Sequence, residues 1–151
     1  MSMPETGEPA PDFKAPDQGG STHNLSDYKG KTVALFFYPK DDTPGCTTEA
    51  CKFRDSMQQL KAANTEVLGV SPDSVESHQD FASKFNLPFP LLADPERKII
   101  QDYGAAKGDK SAKRVTFLIG PDGKILKVYK KVDPERHSDE VLADVQKLET
   151  A

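Results

Sequence analysis

Cysteine and histidine are scarce in this chain, with two and three residues respectively. The cysteines, Cys46 and Cys51, have four residues between them, so the chain lacks both the Cys-x-x-Cys motif of thioredoxin-type redox proteins and the two-residue spacing typical of zinc sites. A cysteine hydrolase needs a histidine base, and His23, His78 and His137 all lie far from the cysteines in sequence. These absences argue against a zinc site and against hydrolysis, and they leave all cysteine chemistry to one pair.

Long apolar runs and a strong excess of one charge are also missing. The longest apolar runs, at 33–38 and 115–119, are far too short to span a bilayer. The net charge is −4, from 20 basic and 24 acidic residues, which argues against a nucleic-acid or anionic-membrane partner. Residues 1–10 lack the basic start and apolar middle of a secretory signal, so we expect a cytoplasmic protein. In that compartment, two nearby cysteines are more often catalytic, redox-active or metal-binding than a permanent disulfide.

The apolar pattern predicts an α/β domain with helices on both faces of a mixed sheet. The chain of 151 residues fits one domain, and its first 18 residues, with four prolines, are predicted to be an extended or loosely packed entry segment. Residues 120–123 read as a hairpin turn, because they carry glycine, proline and aspartate between two apolar segments. The predicted strands are 33–38, 66–71, 91–93, 115–119 and 124–131, and the predicted helices are 44–63, 75–85, 95–103 and 138–148.

A helix start is predicted directly before Cys46. Thr43 suits the N-cap, and Pro44 suits the first helical position, where its missing N–H costs nothing. Cys46 then lies in the first turn, near unpaired backbone N–H groups and the positive end of the helix dipole, an environment that stabilises a thiolate. The alternative is that Cys46 is a small buried hydrophobe. It also begins the apolar face of the helix, which continues with Ala50, Phe53, Met57 and Leu60.

A thiolate here can react with a peroxide and be recaptured by the second thiol. Peroxide converts a cysteine to a sulfenic acid, which condenses with a nearby thiol to form a disulfide. Residues five apart on an ideal helix are separated by roughly 8.5 Å between Cα atoms. A disulfide needs a separation below about 7 Å. We therefore predict that oxidation unwinds the helix between Cys46 and Cys51.

The run from Tyr38 to Cys51 closely resembles the peroxiredoxins, in particular the bacterioferritin comigratory protein/peroxiredoxin Q subfamily. The family signature Pro-x-x-x-Thr-x-x-Cys matches at Pro39, Thr43 and Cys46. A second cysteine five positions on, followed by Phe-Arg-Asp at 53–55, is specific to that subfamily. The resemblance extends over nearly the whole chain, including residues 10–13 and 114–119.

The resemblance implies an α/β thioredoxin-like fold, a central mixed β-sheet flanked by helices, in a single domain at residues 4–149. It implies that Cys46 is the peroxidatic cysteine and Cys51 the resolving one. The remaining implied site residues act on the thiolate of Cys46 and on the bound peroxide. Thr43 orients both, Arg114 stabilises both, Pro39 shields the pocket from water, and Glu49 positions the arginine.

Each of these residues has a simpler alternative role. Thr43 can be only a helix cap, and Arg114 an ordinary surface arginine that opens a strand after a lysine-rich stretch. Glu49 can be a favourable acid in the first helical turn, and Pro39 can merely end a strand.

The expected activity is a thiol peroxidase acting on hydrogen peroxide and small organic hydroperoxides. The resemblance implies re-reduction by thioredoxin or a similar dithiol protein, and it implies no metal, haem or flavin cofactor. We expect a monomer, because nothing in the sequence marks an interface and the cysteine pair needs no second subunit. The stretch 104–113 is shorter and richer in lysine than in many relatives, which bears on the preference among hydroperoxides. Two alternatives remain open: a non-enzymatic redox sensor or binding module, and a holdase chaperone.

Overall fold

The computed structural model of the chain describes residues 3–150, except for the side chains of residues 149 and 150. A single-turn 3-10 helix covers Leu25–Tyr28, and the other elements are strands and α-helices, which alternate over residues 32–102. In chain order they are β1 (Lys14–Pro16), β2 (Thr22–Asn24), β3 (Thr32–Phe37), α1 (Pro44–Ala62), β4 (Thr65–Ser71), α2 (Val75–Phe85), β5 (Leu91–Ala93), α3 (Lys98–Asp102), β6 (Ala106–Lys107), β7 (Ser111–Ala112), β8 (Val115–Ile119), β9 (Ile125–Tyr129) and α4 (His137–Thr150).

The main sheet has five strands in the order β5-β4-β3-β8-β9. Strands β3, β4 and β5 are parallel, whereas β8 runs antiparallel to β3 and β9 antiparallel to β8. The predicted mixed sheet is therefore present. All six residues of β3 are buried, as expected for the central strand of a sheet that is covered on both faces.

Two apolar clusters cover the two faces of this sheet. Alternate residues of β3 point to opposite faces, so Ala34 and Phe36 pack with α1 and α4, while Leu35 and Phe37 pack with the N-terminal segment and α3. The predicted apolar face of α1, from Cys46 to Leu60, is buried in the first cluster. Helices on both faces are confirmed, although α3 is only five residues long.

The entry segment packs more closely than its proline content predicted. Phe13 and Ala15 are buried, and β1 pairs antiparallel with β2. A three-residue strand is too short for an alternating pattern to be recognised, which explains why the sequence reading missed it. Met1 and Ser2, included in that prediction, lie outside the described residues.

Other predicted boundaries were wrong by one to three residues, among them those of the third helix, the last strand and the last helix. The third helix begins at Lys98 rather than Pro95, because the carboxylate of Asp94 accepts hydrogen bonds from the backbone N–H groups of Lys98 and Ile100. The last strand is confined to Ile125–Tyr129. Among the described residues, no helix is long and apolar enough to cross a bilayer.

Candidate active site

The loop after β3 delivers Cys46 into the first turn of α1. Parallel strands β3 and β4 end at the same edge of the sheet, where sites of α/β folds usually form. Pro44 occupies the start of the helix, and Cys46, the third helical residue, is buried. The helix start predicted from the sequence is therefore confirmed.

Thr43 stands at the N-cap position with extended backbone, but its side chain makes no capping hydrogen bond. Its hydroxyl instead donates to the carbonyl of Lys40 at 2.9 Å, across a turn in which Asp42 adopts φ +58°. The predicted N-cap position of Thr43 is therefore confirmed, although its hydroxyl oxygen accepts no hydrogen bond from the helix. The hydroxyl oxygen keeps lone pairs with which it can accept a hydrogen bond.

Arg114 contacts both Cys46 and Glu49, each through a different nitrogen. It directly precedes β8, and the pairing of Val115 with Phe37 brings it beside the loop that follows β3. Its Nη2 lies 3.3 Å from Sγ of Cys46, and its Nη1 lies 2.8 Å from Oε1 of Glu49. A guanidinium at this distance stabilises a thiolate. Arg114 is therefore no ordinary surface arginine.

Neighbouring groups favour the charged form of Arg114. Burial opposes the charged form, but the negative charges of Cys46 and Glu49 more than offset burial and raise the pKa of the guanidinium above its usual value. Arg114 consequently remains a cation whenever the sulfur is a thiolate.

Glu49 is buried in the second turn of α1, which excludes the alternative that it is a first-turn acid. Its Oε2 is a buried atom without a hydrogen-bond partner within the described part of the chain. Burial raises the pKa of Glu49 to about 7, although Arg114 acts in the opposite direction. The carboxyl group therefore changes its protonation state near neutral pH.

Gly45 belongs to the site although the sequence reading assigned it no role. A Cβ at this position would lie 3.0 Å from Nη2 of Arg114 and 3.8 Å from Cγ of Pro134. Glycine therefore leaves the space that the guanidinium occupies beside Cys46. The glycine in the motif was the available signal, but the arginine that it accommodates lies far away in sequence.

Cys51 is held away from Cys46 by the helix that contains both. The thiols are free, Cys51 is half-buried, and α1 is helical throughout Pro44–Ala62. Residues five positions apart on an α-helix are separated by roughly 8.5 Å between Cα atoms, which exceeds the limit for a disulfide.

The remaining predicted residue, Pro39, is half-buried at the start of the loop, and its shielding role stays a prediction.

A buried polar network joins the same loop to α2, and the sequence reading missed it. Oδ1 of Asp41 accepts a hydrogen bond from the Tyr38 hydroxyl at 2.6 Å, and Oδ2 lies 2.6 Å from Nδ1 of His78. Together with Asp73, Asp41 and His78 place ligand atoms within 4.8 Å of one another, a spacing that a metal ion could use. Hydrogen bonds already engage the polar side-chain atoms of Asp41 and His78, so the network needs no ion for its polar groups to be satisfied.

Known proteins resemble this chain in both sequence and structure. The model of the AhpC/TSA family matches residues 6–128, more than half of the chain. A putative peroxiredoxin bcp from Coxiella burnetii is 48% identical over 145 residues, covering 91% of this chain and 96% of that protein. A chloroplastic peroxiredoxin Q from Sedum lineare is 43% identical over 145 residues, covering 94% and 78% respectively.

A solved structure supports the same relationship. The crystal structure of a cysteine-to-serine mutant of PrxQ from Xylella fastidiosa is 32% identical and covers 98% of this chain and 99% of its own, with a TM-score of 0.93. The expected thioredoxin-like fold is confirmed by this likeness together with the mixed sheet and its flanking helices.

Proposed function

We propose that Cys46 attacks the peroxide and that Cys51 resolves the product. The premise is that this chain belongs to the AhpC/TSA family and is a thiol peroxidase. The observation that carries the proposal is the 3.3 Å contact from Nη2 of Arg114 to Sγ of Cys46. That contact supplies a fixed positive charge to a sulfur in the first turn of a helix, so two separate features favour the reactive thiolate.

In the first step the thiolate of Cys46 attacks one peroxide oxygen. An S–O bond forms, the O–O bond breaks, and the leaving oxygen takes a proton to become water or an alcohol. The sulfur is oxidised to a sulfenic acid as the peroxide is reduced. Arg114 and the hydroxyl of Thr43 orient the peroxide, and Pro39 limits access of water. Hydrogen peroxide and small organic hydroperoxides are the substrates.

In the second step the thiol of Cys51 attacks the sulfenic sulfur and releases water, which leaves an intramolecular disulfide. The helical separation of the two residues means that α1 must unwind between them first. Glu49 lies within the unwinding segment and pairs with Arg114, so this ion pair also breaks.

Thioredoxin or a similar dithiol protein then reduces the disulfide by thiol–disulfide exchange. We place the reaction in the cytoplasm, where such reductants keep thiols reduced, and in a monomer, since one chain carries both cysteines. Residues 4–149 form the single domain that performs it, without a metal, haem or flavin cofactor.

Peroxide consumption in the presence of excess thioredoxin tests the proposal on the wild type, Cys46→Ser and Cys51→Ser. We expect the wild type to turn over repeatedly. Cys46→Ser should consume no peroxide, because the attacking sulfur is gone. Cys51→Ser should undergo one fast oxidation and then fail to turn over with thioredoxin.

The outcomes separate the possible functions. If the protein were a redox sensor, even the wild type would consume about one equivalent of peroxide and then stop. Wild-type-like turnover by Cys46→Ser would falsify the mechanism. A holdase would suppress aggregation of a client protein equally well when Cys46 is replaced by serine.

A further inference from the structure

The carboxylate of Asp41 is the centre of a buried network that ties the loop before Cys46 to the rest of the fold. Its side chain is only 4% exposed. It accepts hydrogen bonds from the hydroxyls of Tyr38 at 2.6 Å and Ser77 at 2.8 Å, and it contacts Nδ1 of His78 at 2.6 Å. Two contacts from α2 and one from the residue directly after β3 thus converge on one loop residue.

The donors in this network can be assigned from the chemistry of their partners. Nε2 of His78 lies 3.0 Å from the carbonyl oxygen of Leu92, which only accepts, so Nε2 carries a hydrogen. Burial and the neighbouring Asp41 raise the pKa of Tyr38 well above its usual value, so its hydroxyl remains a donor. The 2.6 Å separation of Nδ1 of His78 and Oδ2 of Asp41 marks a hydrogen bond between these two groups as well.

The backbone of the loop is fastened at the same point. The N–H of Asp41 donates to Oδ2 of Asp73 at 2.8 Å, and the hydroxyl of Ser71 donates to the same oxygen at 2.6 Å. The next residues, Asp42 and Thr43, then lead directly into the turn that contains Cys46. The side chain and the backbone of Asp41 are therefore both anchored just before the turn that contains Cys46.

We propose that Asp41 and His78 are positioning residues of the peroxidase reaction, which hold the loop in the arrangement that peroxide attack needs and oppose the unwinding that disulfide formation needs. The inference rests on the proposed function of Cys46 and Cys51. Its signature is a pair of opposite effects. A weakened network slows oxidation of Cys46, because the first turn is less well placed, and speeds the subsequent disulfide formation, because the folded turn is less favoured.

Two rate constants measured by rapid mixing test this proposal. The first is oxidation of Cys46 by hydrogen peroxide, measured in a Cys51→Ser background so that no second step follows. The second is disulfide formation after a single equivalent of peroxide, measured with both cysteines present. Tyr38→Phe, Ser77→Ala and Asp41→Ala form the variant series, in which the first two remove one hydroxyl each and preserve the packing.

We expect each hydroxyl removal to change both rate constants in opposite directions by about twofold to tenfold, the effect of one hydrogen bond. Asp41→Ala should act more strongly in the same directions. Asp41→Asn should restore both rate constants to near the wild type, because its amide oxygen can accept from Tyr38 and its two N–H groups can donate to Nδ1 of His78 and to the hydroxyl oxygen of Ser77, which reverses the bond that Ser77 makes with Asp41. Tyr103→Phe is the matched control: this tyrosine is also buried and loses a 2.6 Å hydrogen bond to the carbonyl of Pro11, but it lies in the other core cluster.

A purely structural role would reduce the amplitudes of both phases, through a smaller folded fraction, and leave the rate constants of Tyr38→Phe and Ser77→Ala unchanged. That result, or a change in the same direction for both steps, would overturn the inference. If the wild type itself formed no Cys46–Cys51 disulfide, the proposed function would fail instead, so the two failures are distinguishable.

Discussion

Arg114 donates to Sγ of Cys46 across 3.3 Å, which joins the residue before β8 to the first turn of α1. The same guanidinium is held from its other side by the buried carboxyl of Glu49. Positive charge is thus fixed beside the sulfur by the fold and is present before a peroxide arrives. This preorganisation is the physical basis of the reactivity that we propose for Cys46.

Arg114→Lys should lower the second-order rate constant for oxidation of Cys46 by hydrogen peroxide. An ammonium carries all its N–H groups on one nitrogen and cannot reproduce the planar fork of a guanidinium, whose two Nη atoms contact Cys46 and Glu49 separately. Loss of a charge-assisted hydrogen bond predicts a decrease of about tenfold to a hundredfold. Arg97→Lys serves as the control, because Arg97 donates to the carbonyls of Gly108 and Ser111. An equal effect of both substitutions would contradict a specific role for Arg114.

Glu49→Gln should change how stability depends on pH. Burial raises the pKa of Glu49 to about 7 from a usual value of 4.5. A group whose pKa is raised in the folded state contributes its full stabilisation at pH values below the pKa of the unfolded state. This contribution is lost as the pH rises through the pKa of the folded state. Relative to Glu49→Gln, the wild type should lose up to about 3 kcal/mol of unfolding free energy across this pH window.

Urea unfolding of the reduced proteins at several pH values measures this difference. The loss should be steepest between the two pKa values and level off above the higher one. Parallel pH profiles for the wild type and Glu49→Gln would show that the carboxyl group keeps its ordinary titration in the folded protein.

Gly45→Ala should separate stability from activity. Alanine favours a helix over glycine by up to about 1 kcal/mol, so the free energy of unfolding should hold or rise. The new Cβ would lie 3.0 Å from Nη2 of Arg114, so the guanidinium must shift by a few tenths of an ångström from its position beside Cys46. We expect oxidation of Cys46 to slow by about threefold to tenfold.

A double-mutant cycle with Arg114→Lys shows whether this loss acts through Arg114. The combined variant should lose less activity than the two single effects predict, because the guanidinium that Gly45→Ala displaces is already absent. Additive losses would place the effect of Gly45→Ala elsewhere.

Thr48→Ala should slow disulfide formation without slowing the peroxide reaction. The hydroxyl of Thr48 donates to the carbonyl of Pro44 at 3.0 Å, and threonine is a poorer helix former than alanine. The substitution strengthens the segment that must unwind, and a propensity gain of roughly 0.6 kcal/mol predicts about a threefold slower second step. A longer-lived sulfenic acid should also increase overoxidation to sulfinic acid, which mass spectrometry detects.

Ser56→Ala is the matched control for this prediction. It makes a similar change in α1 but lies beyond Phe53, in the part of the helix that we expect to stay folded. Disulfide formation that slowed equally in both variants would mean that unwinding extends further along α1 than the account allows.

Elements with a repeated apolar pattern were predicted accurately. The observed bounds of α2, β5 and β8 coincide with the predicted ones, and α1 differs by one residue. The apolar face of α1 repeats five times, so its burial could be read from spacing alone. The start of α3 could not be predicted from spacing, because it depends on the orientation of the Asp94 carboxylate.

The site was predictable only in part for the same reason. The local motif marked Cys46, but Arg114 is 68 positions away and was assigned from family resemblance, since strand pairing brings it close. Asp41 and His78 are 37 positions apart and carry no motif that links them. Their contact depends on how α2 packs beside the loop, which local spacing does not encode.

Unwinding of α1 after oxidation is the central claim, and its far boundary can be located. Phe53 is buried and stacks on Phe36 with ring centroids 5.0 Å apart. Nη1 of Arg54 donates to the carbonyl of Phe85 at 2.7 Å. We expect these contacts to hold the helix from Phe53 onward while the two turns before it unwind.

Amide hydrogen exchange, followed by mass spectrometry on the reduced protein and the Cys46–Cys51 disulfide form, tests this claim most directly. The account predicts that oxidation removes the protection of the amides at 47–52, whereas Phe53–Ala62 keep theirs. A disulfide form in which residues 47–52 exchange as slowly as in the reduced protein would contradict it.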